Sequence, residues 1–243
     1  MASAKYEPIY KEIKDGILSG QYPYGSFLPS ENEYAVRFGC TRNTVRRALS
    51  ILAAEGYVLP QHGRGVQVIL QPLPNRSMFS IGGIESFAEA AKRNNIKTET
   101  RLITFEETKV DEKMSIQTGF DTGTELYHIE RIRFVEGRAA VFDTNYFMKS
   151  ETPGLTKEIA EGSVYHYLED ELGMTITVSR RIITAEQASE KDLRYLDLGA
   201  LDFVLTVSGQ VFNSRGVMFE YTQSRHVPGQ VCFIEAAIRQ KIK

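Results

Sequence analysis

Residues 28–68 read LPSENEYAVRFGCTRNTVRRALSILAAEGYVLPQHGRGVQV. In the middle of this run Val45, Ala48, Leu49 and Leu52 fall at i, i+3, i+4 and i+7, the spacing of one apolar helix face. Arg42, Asn43, Arg46, Arg47 and Ser50 fall on the other side, and Thr41 stands where an N-cap belongs. Upstream, Ser30 and Glu33 have the S-x-x-E spacing of a capping box, with Tyr34, Ala35 and Phe38 as the apolar side of a second helix. Phe38-Gly39-Cys40 turns the chain between the two, with Cys40 expected as a small buried residue. Two short helices joined by a glycine-containing turn predict a helix-turn-helix whose second helix enters the DNA major groove. Past Glu55-Gly56, the segments 57–61 and 66–69 flank His62-Gly63-Arg64-Gly65, a hairpin with a basic glycine tip. Glycine accepts positive φ and lets backbone lie close to a partner, so this hairpin reads as a wing against phosphates or the minor groove.

The charge distribution agrees with that placement. The whole chain of 243 residues carries a net charge of −2. From Tyr34 to Leu70, however, Arg37, Arg42, Arg46, Arg47 and Arg64 stand against Glu55 alone. A small basic module on a mildly acidic body is the electrostatic footprint of a nucleic-acid binder. Ile9, Ile13, Ile17 and Leu18 give a supporting helix before it. A hydrophobic content of 42% suffices for real cores, and the length suits two domains. No run of about 18 apolar residues is present, so no membrane helix is expected. MASAKYEP has no apolar signal segment, and Cys40 and Cys232 make no metal spacing, so a reduced, cytoplasmic protein is expected.

The segment LQPLPNRSMFS, residues 70–80, has two prolines among polar residues and reads as a linker. The expected organisation is a DNA-binding domain at 1–71, a linker at 72–80 and a second domain at 81–243. In the second domain helices are predicted over 84–92, 111–118, 163–172 and 190–196. Strands are predicted over 98–106, 126–135, 139–148, 175–185, 203–212, 217–226 and 231–236. The sum is an α+β fold, an antiparallel sheet with helices. On the strand from Tyr127 to Val135, alternation puts Ile129, Arg131, Arg133 and Val135 on one face. Two such arginines need anions. A phosphate ester fits the guanidinium fork, and so do carboxylates of the protein, Glu130 or Asp143.

The pattern LPSENEYA…FGCTRNTVRRAL…EGYV…QHGRGVQV resembles the winged-helix domain of GntR-type bacterial transcription regulators, over residues 9–68. That resemblance implies DNA contacts from Thr41, Arg42, Thr44 and Arg46 on the helix and from His62, Gly63 and Arg64 on the wing. Asn32 stands where the family usually has a DNA-contacting Arg, and it enters the same set as an uncharged contact. Residues 84–236 resemble the ligand-sensing domain of the HutC subgroup, with a chorismate-lyase-like fold. Relatives that sense sugar phosphates have the same R-x-R, which implies a site of Ser86, Phe87, Arg131, Arg133, Asp143, Ser163, Tyr165 and Glu220, with Phe219 beside the last. In it Arg131, Arg133 and Ser163 would hold phosphate, Asp143 and Glu220 would accept from sugar hydroxyls, and Tyr165 and Phe87 would wall the ring. LTKEIAEGSVYHYLEDELGMTIT and FEYTQSRH resemble stretches of regulators of trehalose utilisation, which implies trehalose 6-phosphate as inducer.

The expected function is thus a homodimeric repressor that binds a palindromic operator and is released by a sugar phosphate, with no cofactor, metal or catalytic residue. Another phosphorylated sugar or a small carboxylate is an alternative ligand. A chorismate-lyase-like enzyme and a constitutive architectural DNA binder are alternative classes. His62, His128, His166 and His226 are scattered and give the enzyme reading no metal set.

Overall fold

The computed structural model describes residues 5–71, 77–80, 83–94 and 96–234, with side chains described except at 77–80, 93, 94 and 234. It divides into two compact units, essentially residues 5–71 and 84–232.

The first unit holds α1 (Glu7–Leu18), α2 (Glu31–Arg37) and α3 (Arg42–Ala54), followed by the hairpin of β1 (Val58–Gln61) and β2 (Gly65–Val68). Ser30 caps α2 as its spacing predicts: its hydroxyl accepts from Glu33 N at 3.3 Å, and Glu33 Oε2 accepts from Ser30 N at 2.7 Å. Thr41 caps α3. Ile9, Ile13 and Ile17 of α1 meet Tyr34, Val45, Ala48, Leu49 and Leu52, closed by Val58 and Val68 of the hairpin. Each such buried side chain contributes about 1.5–3 kcal/mol, so three short helices suffice for a stable core. Cys40 is half-buried beside this core rather than within it, because the turn holding it lies at the surface. Gly63 and Gly65 at the wing tip have φ of +72° and +109°, which explains glycine at both positions.

The next strand, β3 (Ser77–Ser80), lies inside the stretch read as linker and pairs with β10 (Val231–Ile234). The remainder of the strand expected to end at residue 236 lies outside the described residues.

The second unit is a six-stranded antiparallel sheet in the order β4 (Thr98–Lys109), β5 (Glu125–Val135), β6 (Arg138–Met148), β9 (Met218–His226), β8 (Phe203–Asn213), β7 (Ile176–Gln187). Its helices are α4 (Phe87–Asn94), α5 (Glu112–Thr118), α6 (Lys157–Glu161), α7 (Val164–His166) and α8 (Glu190–Tyr195). The helix expected over 163–172 is α7 continuing into a π turn, Tyr167–Glu171. The short α6, not expected from periodicity, is capped by Thr156 and brings Ala160 to the sheet. Ala160, Val164 and Leu168 pack with Ile129, Phe147 and Val211. On the opposite face α5 and α8 cover Leu126 and Tyr221, and Ile132 and Phe142.

One irregularity sets the register of β5 against β6. Glu136 (φ +49°) and Gly137 (φ +79°) make the tight turn between β5 and β6. Beyond it Val135 pairs Arg138 and Phe134 pairs Ala139, but Arg133 then pairs Val141, so Ala140 is bulged out. A bulge moves all later residues of one strand to the other face. It sets Arg131 opposite Asp143, where an unbulged hairpin would set it opposite Phe142.

Candidate DNA interface and effector site

In the first unit, the side chains expected to touch DNA gather at the start of α3 and the wing tip. Asn32, Thr41, Arg42, Arg46, His62, Gly63 and Arg64 are exposed, and Thr44 is half-buried. The Thr41 and Thr44 hydroxyl oxygens lie 3.0 Å apart, which orders the first turn of α3. Arg42 and Arg46 are one turn apart, each with a side chain 56% exposed, and both reach the carboxylate of Glu31 on α2. The Arg46 Nε–Oε2 distance is 2.9 Å and the Arg42 Nη2–Oε2 distance 3.2 Å. Hydrogen bonding from Arg46, with Arg42 behind it, holds the Glu31 carboxyl below its usual range. Glu31 is therefore a shared counter-ion of the two guanidiniums, which any competing anion would have to displace. Such exposed pairs are worth about 0–1 kcal/mol, so displacement costs little. At the tip the Arg64 guanidinium rests 5.7 Å from the Phe27 ring centre.

In the second unit, the bulge brings a polar row onto one sheet face. Arg131 and Arg133 on β5 share it with Asp143 and Asn145 on β6 and with Glu220, Thr222 and Ser224 on β9. The arginines are not exposed strand residues. Arg131 is 4% and Arg133 7% exposed. Of the two carboxylates considered from sequence, Asp143 is the partner: Arg133 Nε donates to Asp143 Oδ2 at 2.8 Å. Glu130 lies on the opposite face, where Lys191 and Thr104 donate to it. Arg133 Nη1 also donates to Thr100 Oγ1, and its guanidinium sits 5.1 Å from the Phe87 ring centre. The other Asp143 oxygen accepts from Ser224 at 2.6 Å. Burial pushes the Asp143 carboxyl up, but Arg133 and then Arg131 more than reverse it, leaving it below its usual range.

Arg131 is bound differently. Nη2 donates to Asn145 Oδ1 at 2.7 Å and Nη1 to the Ala160 carbonyl at 3.1 Å, both neutral acceptors. Its Nε is buried with no hydrogen-bond partner among the described residues. Burial, then Arg133, lower its pKa to about 9, which still leaves it a cation at neutral pH. Asn145 Nδ2 donates in turn to Glu220 Oε1 and Thr222 Oγ1, both at 2.9 Å, and Tyr165 donates to Glu220 Oε2 at 2.7 Å. Burial raises the Glu220 carboxyl to about 7. Burial and the same carboxylate push the Tyr165 phenol well up, so it stays a donor.

Ser163 caps α7 and Ser86 caps α4, the latter in a reciprocal bond with Glu89. The second unit thus joins Phe87, Arg133 and Asp143 by direct contacts, and Arg131, Glu220 and Tyr165 through Asn145, while the hydroxyls of Ser86 and Ser163 serve helix starts. Sequence reading missed Asn145, Thr222, Ser224 and Thr100. Alternation from Asp143 would have reached Asn145, and alternation from Glu220 would have reached Thr222 and Ser224; Thr100 depended on β4 pairing. Among the described residues no three His, Cys, Asp or Glu side chains gather to hold a metal ion.

A helix-turn-helix with a wing and a sheet domain with a buried cationic site, in one chain, form a two-part architecture with known counterparts. Residues 5–68 match the family described as bacterial regulatory proteins, gntR family, and residues 93–231 match the UTRA domain. The chain belongs to the GntR family. Within it, the UTRA domain places the chain in the HutC-like subgroup. The HTH-type transcriptional regulator TreR of Bacillus subtilis is 33% identical over 237 residues, 98% of each chain. The solved structure of the B. subtilis trehalose repressor effector-binding domain is 32% identical, covers 59% of this chain and 99% of that one, and has a TM-score of 0.54. The possible regulator YydK from B. subtilis shares the fold along the chain, at a TM-score of 0.80 over 96% of this chain and 99% of that one, with 22% identity. This GntR-family protein is a transcriptional regulator whose partners are operator DNA and a small-molecule effector.

Proposed function

We propose that this regulator represses a sugar-utilisation operon and that a sugar phosphate, trehalose 6-phosphate, releases it from its operator. The observation that carries the reading is Arg131: a buried cation with neutral acceptors on two nitrogens and a buried Nε without a partner among the described residues. The nearby Asp143 carboxylate is bonded to Arg133 and Ser224, so the buried Arg131 has no directly bonded anion among the described residues, and a phosphate dianion supplies both the charge and the acceptor. Asp143 serves as the group that fixes Arg133 for the same phosphate. Asn145, Glu220 and Tyr165 offer the mixed donors and acceptors that sugar hydroxyls need. The name and similarity of the B. subtilis trehalose repressor support trehalose as the sugar. Residues 86–87 lie only a few positions beyond 77–80 in the chain, a short route from effector to winged helix.

The test uses an operator duplex selected by the wild-type protein from random DNA. Trehalose 6-phosphate is expected to weaken operator binding about 5–150-fold, the usual range of allosteric coupling. Free trehalose is expected to do little, since it leaves Arg131 without an anion. Arg131→Met, which strands no carboxylate, is expected to keep operator binding and ignore the ligand. Release by free trehalose at the same concentrations as its phosphate would overturn the assignment.

A further inference from the structure

Glu31 stands in the first turn of α2, and its side chain reaches across to α3. Arg46 Nε donates to both of its carboxylate oxygens, at 3.0 and 2.9 Å. Arg42 reaches Oε2 from Nη2 at 3.2 Å and from Nε at 3.4 Å. One anion thus stands between two cations, and the cluster carries a net charge of +1 where its arginines alone would give +2. The α2 cap does not need this carboxylate, since Ser30 and Glu33 close the capping box without it. The cluster faces solvent, with side chains 26% exposed at Glu31 and 56% at each arginine.

The Arg46 pair runs through Nε, which leaves the Nη1–Nη2 edge of that guanidinium out of it. Such an edge forks onto the O6 and N7 of a guanine. A guanine edge is neutral, so Glu31 stays in place beside it. A phosphate is an anion. It either displaces Glu31 or sits next to a like charge, and both cost free energy. We propose that Glu31 is a specificity-determining residue for DNA: its carboxylate weakens capture of the α3 arginines by backbone phosphate and leaves their contacts with base edges intact. Random DNA binds through its phosphates, while an operator adds the matching base edges. The charge of Glu31 then acts against random DNA more than against operator and widens the ratio between them. This goes beyond the effector reading and does not depend on it. It rests on the expectation, implied by the family, that Arg42 and Arg46 face DNA.

Anisotropy titrations of the full chain test this, at several salt concentrations, on the operator selected by wild type and on a scrambled duplex of the same length. Glu31→Gln keeps the shape of the side chain and removes its charge. It is expected to tighten binding to the scrambled duplex roughly threefold to tenfold at low salt, the range for freeing two arginines from exposed pairs. The salt slope on that duplex is expected to steepen by about 0.9, for one more phosphate neutralised. Operator affinity is expected to stay within about twofold of wild type, because base contacts displace nothing. Glu33→Gln is the control: it removes the same charge from an exposed residue bonded to Ser30 rather than to α3. It is expected to shift both duplexes alike. If Glu31→Gln fails to fold, Glu31→Ala removes the same charge, with the same expectations. A Glu31 variant that shifts both duplexes by the same factor overturns the role. Arg42→Ala and Arg46→Ala, run alongside, separate the causes. If both leave operator binding unchanged, the placement of α3 on DNA falls and the Glu31 role falls with it. If they weaken it, the failure belongs to Glu31 alone.

Discussion

Glu220 is the side chain whose chemistry is most dependent on its surroundings. It is 2% exposed, accepts from Asn145 and Tyr165, and ionises near pH 7 because burial raises it. Its unfolded counterpart ionises near 4.5. Between those values the folded state holds more protons than the unfolded one, so the contribution of Glu220 is full below about pH 4.5 and is lost as pH rises through about 7. The loss is at most about 3 kcal/mol. His226 works the other way. Burial lowers it to about 4, so its contribution is full above its ordinary value and falls in acid. Comparing Glu220→Gln with wild type isolates the carboxyl from this opposing trend. Chemical denaturation at pH 5, 6, 7 and 8 is expected to show the stability difference shifting in favour of the variant as pH rises. A difference that stays flat across this range would refute the raised ionisation.

At the scale of elements, α3 and the wing are expected to divide the work of holding DNA. Arg42 and Arg46 leave the first turns of α3 together, held by Glu31. A guanidinium that forks onto guanine O6 and N7 is worth about 1–3 kcal/mol of discrimination. Arg42→Ala and Arg46→Ala are therefore each expected to cost that much on the selected operator and to relax one base position. Arg64 stands on the exposed wing tip, where a phosphate contact is expected. Arg64→Ala is expected to weaken all duplexes alike and to reduce the salt slope by about 0.9, the value for neutralising a single phosphate. Anisotropy titrations at several salt concentrations, on operator and scrambled DNA, separate the two patterns. Unchanged affinity and specificity in both α3 variants would remove α3 as the reading helix.

For the whole molecule the expected assembly is a homodimer, since one short α3 reads too few bases for an operator. Two-fold proteins read half-sites about 10 base pairs apart, or multiples of that. Light scattering of the free protein at micromolar concentration is expected to give twice the chain mass of 27.4 kDa. A single-chain mass, free and on DNA, would rule the dimer out. The winged helix was legible along its length because its signals are local. The capping box at Ser30, the cap at Thr41, the apolar stripe from Val45 to Leu52 and the glycine tip each depend on neighbours within a few residues. The strands of the second unit were legible for the same reason, as alternation bounded by turns. Which strands lie together was not. The pairing of Ser77–Ser80 with Val231–Ile234 joins segments some 150 residues apart, and a proline-bearing stretch gave no sign of it. The R-x-R pair was visible as two arginines on one face, with its counter-ion left open between Glu130 and Asp143. That choice belongs to the bulge at Ala140, a single extra residue that carries Asp143 and Asn145 to the arginine face while Glu130 stays on the other. Local sequence sets helix caps and side-chain alternation because those energies act within a turn or a pair of residues. The face on which a given carboxylate emerges is set by how the strands register against one another, and only the folded sheet fixes that.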